Sequence, residues 1–108
     1  MMVKVMSVKE KMQYFALIGQ PIEQNYSQDK MAEIVNEHLK YLEKEFNNIL
    51  FYGPKVGKRG GIIVIKATDL KQITDFCFND PLVQAKLQTY EIIEFEMENY
   101  QTYIKDWL

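Results

Sequence analysis

The stretch "GIIVIKATDLKQITDFCF" (residues 61–78) contains the change of period on which the fold turns. Its first part, "GIIVIKA" (Gly61–Ala67), is a run of β-branched residues and reads as a strand. At Thr68 the pattern changes. Thr68 or Asp69 offers a side-chain oxygen to the unpaired N–H groups of a helix start, and Gln72 stands three residues after Asp69, as in a capping box. "LKQITDFCF" (70–78) then reads as a helix. Downstream, "NDP" breaks it, Asp80-Pro81 starts a short second helix "PLVQAKL" (81–87), and "QTYEIIEFEM" (Gln88–Met97) is a further strand.

The upstream half has the same kinds of element. "MQYFALIG" (Met12–Gly19) is an apolar strand, and "QPIEQNYSQD" is a turn-rich connection in which Asn25 or Ser27 can cap a helix over Asp29–Phe46. Asn47-Asn48 is its stop, because Asn tolerates the left-handed conformation. "ILFYGP" (Ile49–Pro54) is the next strand, and "KVGKRGG" is a loop. In "NYQTYIKDWL" (99–108), Tyr100, Tyr103, Ile104, Trp107 and Leu108 have helical spacing, so a C-terminal helix is expected there. The order is β-α-β-β-α-β: an α+β, ferredoxin-like chain with a four-stranded antiparallel sheet and two helices on one face. The expected boundaries are an N-terminal extension over 1–11, the domain over 12–98 and the helix over 99–108.

The totals narrow the function. A chain of 108 residues fits one domain. A net charge of -2 gives no basic footprint for nucleic acid. No apolar segment suits a bilayer, and "MMVKVMSVKEKM" lacks the apolar run of a signal peptide. The single cysteine, Cys77, cannot form an internal disulfide, which points to a reducing cytoplasm.

The strands pose a physical problem. "YFALI", "ILFY" and "IIVI" are apolar on both faces, and in the last strand Tyr90 and Ile92 point one way while Ile93, Phe95 and Met97 point the other. Two helices cover only one face of the sheet. Each further large apolar side chain buried is worth about 1.5–3 kcal/mol, so a wet second face would be a heavy loss. The expectation is a homodimer with its sheet faces together. The competing reading has the terminal helix and the N-terminal extension cover that face within one chain.

The lone histidine, His38, shares one side of the first helix with Met31, Ile34, Val35 and Leu42, which places an imidazole on the apolar stripe. An imidazole exchanges protons near neutral pH; a core histidine satisfied by one hydrogen bond is the plainer reading. Asp80, between Phe78 and Leu82, is a carboxylate in apolar company and also a natural N-cap. If the helices lie side by side on the sheet, Asp80 can accept a proton from His38 and fix its tautomer. Other candidates are weaker. "GPKVGKRGG" has the wrong spacing for a phosphate loop and a strand after it, so Lys55, Lys58 and Arg59 read as a solvated hairpin loop. Cys77 reads as packing, and one histidine with one cysteine is a poor metal set. Tyr14, Tyr41 and Tyr52 can line a pocket or pack in the core.

Together, "EHLKYL", "FYGP", "GGIIVIKATDLKQI" and "FNDPLVQAKLQTYEIIEF" resemble the YCII-related family of small dimeric α+β barrel proteins, over residues 12–97. The resemblance implies a ferredoxin-like fold dimerised through its sheets and a functional role for a paired histidine and aspartate, here His38 and Asp80. It also implies a pocket wall at Tyr52, Gly53 and Pro54. The family is similar to muconolactone isomerase, and a relative acts as a dehydrochlorinase on a chlorinated aromatic. The residue before Gly-Pro, often Ser in the family, is Tyr52 here, and the residue after Asp-Pro, often Phe, is Leu82. Two functions follow. One is a cofactor-independent enzyme that uses the His–Asp pair for isomerisation or elimination on a small organic molecule. The other is a non-catalytic dimeric module that binds a ligand or, through the apolar side of the terminal helix, another protein.

Overall fold

The computed structural model describes residues 11–108, so the expected N-terminal extension lies outside the described residues except for its last member. The elements are β1 (Gln13–Pro21), α1 (Gln28–Lys44), β2 (Ile49–Pro54), β3 (Gly61–Ala67), α2 (Leu70–Phe78), α3 (Pro81–Gln84) and β4 (Gln88–Phe95). The sheet order is β2-β3-β1-β4, and every neighbouring pair is antiparallel. This is the ferredoxin-like α+β arrangement that the element order predicts.

Capping explains the helix starts. Ser27 accepts from the Lys30 amide at 3.1 Å, and Asp69 accepts from the Gln72 amide at 2.9 Å. The Gln72 side chain reaches back one residue further than a capping box requires and accepts from the Thr68 amide. The helix-side face of the sheet carries the core: Phe15 and Leu17 of β1 and Ile63 and Ile65 of β3 meet Leu42 of α1 and Ile73 of α2, all buried.

Four local features differ from the sequence reading, each for a physical reason. Helix α1 ends at Lys44 and tightens into a 3-10 turn over Phe46–Asn48, with no left-handed Asn. Helix α3 stops at Gln84 instead of running on to Leu87. Lys86 turns left-handed at φ 60°, the Leu87 amide donates to the Leu82 carbonyl, and the Lys86 amide donates to the Val83 carbonyl. That is a Schellman stop with Lys in the place usually held by Gly. Strand β2 has a bulge between Ile49 and Phe51, which returns Tyr52, not Phe51, to the face shared with Ile63. Finally, residues 99–108 form no continuous helix, only a 3-10 turn over Thr102–Ile104. Isolated helices this short are marginal, because about three residues must be fixed before the first hydrogen bond closes. The tail is held by its end instead. Trp107 packs on Tyr14 at 5.9 Å between ring centres, and the Lys66 ammonium donates to the Trp107 carbonyl and lies 4.9 Å from its ring centre.

The helix-free face therefore has three rows. Lys66, Tyr14 and Phe95 form the first, and Trp107 of the tail rests on its Tyr14 and Lys66. The middle row, Phe51-Val64-Ala16-Ile93, is apolar across all four strands. The far row includes Ile62 and Ile18. Phe51 is 54% exposed, Ile93 42% and Ile62 38%, so the tail covers one end of the face only.

Candidate active site

Helix α1 carries Ile34, His38 and Leu42 at four-residue steps, and the two apolar members are buried. His38 is thereby directed inward with its side chain 14% exposed. Helix α3 packs on α1. Its N-cap is Asp80, which accepts from the Leu82 amide at 2.9 Å, with Pro81 fixing the first turn. The side chain of Asp80 is fully buried.

Nδ1 of His38 lies 2.8 Å from Oδ1 and 2.9 Å from Oδ2 of Asp80. The Tyr90 hydroxyl donates to Oδ2 at 2.5 Å. Three donors thus converge on Asp80, as an acceptor-only carboxylate requires. Nδ1 must then carry the proton, and Nε2 is the nitrogen left free. Burial pushes the Tyr90 phenol far above its ordinary range, and the charge of Asp80 and the hydrogen bond to it add to the rise. The hydroxyl therefore stays a donor. Cys77 sits nearby, and burial together with the Asp80 charge pushes its thiol up to about 12. It is an inert packing residue.

His38 opens on a cavity of about 310 Å³, the lower end of the range of small-molecule sites. Val35 and Leu39 of α1 form one side of it, and Tyr52, Gly53 and Pro54 of β2 another. Both helix residues are more than two-fifths exposed, because they stand at its mouth and not in the core. Of the sequence-predicted residues, His38, Tyr52, Gly53 and Pro54 line the cavity; Asp80 stands behind the imidazole. Tyr41 lies elsewhere, stacked on Phe76 at 5.1 Å with its hydroxyl on the Phe76 carbonyl. Tyr14 is on the opposite face, under Trp107. Lys55 donates to the Gly19 carbonyl, and Arg59 meets the exposed Glu23. Among the described residues no three His, Cys, Asp or Glu side chains gather as a metal set, and no helix is long and apolar enough to cross a membrane.

Two residues of the site were not singled out from sequence: Tyr90 and Gln88, both lining the cavity. They alternate on β4 in phase with Ile92, on the helix side. That phase was legible, and a phenol or amide on a buried face must find a partner or a ligand.

A search of curated proteins finds no match. Among solved structures, the chain is similar to a 5-chloro-2-hydroxyhydroquinone dehydrochlorinase from Burkholderia phenoliruptrix, solved in complex with 2,5-dihydroxybenzoquinone. The TM-score is 0.63 at 21% identity, covering 81% of this chain and 95% of that one. This likeness establishes the shared fold. The YCII-related domain matches residues 12–96, nearly all of the described chain. The chain belongs to the YCII-related family.

Proposed function

We propose that this protein is a small acid/base enzyme of the isomerase or lyase type, working without a cofactor on a small organic ring compound. The observation that carries the reading is the fully buried Asp80 gripping Nδ1 of a histidine that lines a cavity. Nε2 of His38 is the base. It takes a proton from an sp3 ring carbon, for isomerisation, or from a ring hydroxyl of the keto tautomer whose leaving group sits on an sp3 carbon, for elimination, and the electron pair left behind moves into the ring. The pair then either accepts a proton at another carbon, giving isomerisation, or expels a leaving group as its anion, giving elimination. The imidazolium formed lies against Asp80, which stabilises it and holds the ring in place. Tyr52, Gly53 and Pro54 serve as the wall against which the substrate lies. The dehydrochlorinase of similar fold acts on a compound of this kind, a ring with a halide to expel.

The test is chloride release from 5-chloro-2-hydroxyhydroquinone, alongside ring lactones assayed for isomerisation. The expected result is turnover by the wild type and its loss in a folded His38→Ala variant. Full turnover by His38→Ala would contradict the assignment.

Two chains are proposed to pair through the open sheet faces. The support is the apolar row Phe51-Val64-Ala16-Ile93, which the tail leaves uncovered. The expected mass in solution by light scattering is twice 12.8 kDa, and Val64→Glu should split the dimer. A wild-type mass of one chain at micromolar concentration would refute it. The single buried thiol fits a reducing compartment such as the cytoplasm.

A further inference from the structure

Gln88 opens β4 and is 6% exposed. A carboxamide can make four hydrogen bonds, and a buried one ordinarily makes most of them. Among the described residues the one side-chain partner of this carboxamide is the Tyr90 hydroxyl, two residues along β4, whose ionisation it eases, the single influence opposing the rise. Nor is it sealed away: the only buried side-chain polar atom with neither partner nor access, among the described residues, is Nε1 of Trp107. The Gln88 amide is therefore open to the space it lines. It lines two spaces, the His38 cavity and an adjoining hollow of about 200 Å³, with Val35, Gly60 and Leu82 common to both.

The neighbouring backbone is shaped to admit this side chain. A Cβ on Gly19 would stand 2.7 Å from Oε1 of Gln88 and 3.1 Å from the Gly61 amide nitrogen, so only glycine leaves room for the carboxamide there. Four polar side chains thus line the cavity: His38, whose Nε2 is an acceptor, Tyr90 with its proton already committed to Asp80, Tyr52 on the β2 wall, and Gln88, whose amide has a donor and an acceptor to spare beyond Tyr90. The remaining walls are apolar side chains and glycines, and among the described residues no lysine or arginine lines the His38 cavity to favour an anion.

We propose that Gln88 is the specificity-determining residue of this cavity, its carboxamide binding the hydroxyl or carbonyl oxygen of a neutral single-ring compound whose reacting atom faces Nε2 of His38. The proposal rests on the cavity being the ligand site, as proposed above, and adds the class of ligand: an oxygen-substituted ring over a plain hydrocarbon ring. A donor–acceptor pair left empty by the wrong ligand costs affinity, whereas a hydrophobic wall is indifferent to it.

The experiment compares two probes of nearly equal shape, hydroquinone and para-xylene, binding to the full-length protein by NMR titration. The wild type should prefer hydroquinone, and the Gln88 side-chain amide resonances should shift with hydroquinone and not with para-xylene. In Gln88→Met the preference should fall about five- to tenfold, the worth of one neutral hydrogen bond, with para-xylene binding unchanged. The resonance shift is read in the wild type and so does not depend on the variant folding. An unchanged preference in folded Gln88→Met, or unmoved amide resonances with hydroquinone bound, overturns the role of Gln88 and leaves the cavity as a ligand site. Failure of both rings to bind the wild type overturns both readings together.

Discussion

Removing the Asp80 carboxylate should couple energetically to the Tyr90 hydroxyl, and the structure sets the size of the effect. Asp80→Ala removes the acceptor of three donors: Nδ1 of His38, the Tyr90 hydroxyl and the Leu82 amide. Loss of the cap at Leu82 costs about 1 kcal/mol. Each of the other two groups, stranded without a partner, costs about 1–3 kcal/mol. Against this, the desolvation of a buried charge is no longer required, which offsets part of the sum. A net loss of about 3 kcal/mol is expected, within the 5–15 kcal/mol by which small domains are stable, so the variant still folds. Tyr90→Phe alone should cost about 1.5–3 kcal/mol, since it removes a hydrogen bond to a charged group. In the Asp80→Ala background the same change removes an orphaned hydroxyl and should be neutral or stabilising. Urea unfolding of all four proteins yields the coupling, expected at about 1 kcal/mol or more. Additivity within about 0.5 kcal/mol would mean that Tyr90 and Asp80 do not act as one unit.

Two further outcomes follow from the same structure. Cys77 and Tyr90 keep their protons in the folded chain well above the pH at which the unfolded chain loses them. Their stabilising contribution is full below about pH 8 and is lost as pH rises from there, first through Cys77 and then through Tyr90, at up to about 1.4 kcal/mol per pH unit for each group protonated only when folded. Urea midpoints should therefore fall steeply between pH 8 and 10.5, and native Cys77 should resist alkylation at pH 8; a flat profile with rapid alkylation would show an open thiol. At the left-handed position Lys86, Gly should be more stable than Ala by about 1 kcal/mol, the reverse of helix-interior order, as thermal unfolding can check. Ala equal to or above Gly would rule out the Schellman stop.

The parts of the fold legible in the sequence are those where one strong local signal acts alone. "ILFYGP", "GIIVIKA" and "LKQITDFCF" form β2, β3 and α2 with the expected bounds, because Gly, Pro and a capping Asp punctuate them. The bulge in β2 left no mark, since Leu50 and Phe51 are both apolar and no glycine flags the slip. The stop at Lys86 was hidden for a related reason: the turn-making residue is not Gly or Asn. Val35 counted as core by spacing and stands half exposed, because periodicity cannot tell a cavity wall from a packed interior. His38 and Asp80 were found because each is an anomaly in its own segment. Tyr90 and Gln88 were passed over because a strand pattern sorts residues by face, and only the three-dimensional arrangement brings the phenol to Asp80 and the amide to the cavity.

The proposed acid/base role depends on which nitrogen of His38 is free. With a single histidine in the chain, long-range proton–nitrogen NMR correlates one imidazole without assignment ambiguity. In the neutral ring the account predicts a protonated Nδ1 and an unprotonated Nε2, the latter shifting when hydroquinone is added. A ring protonated at Nε2, with Nδ1 bare toward Asp80, would contradict it.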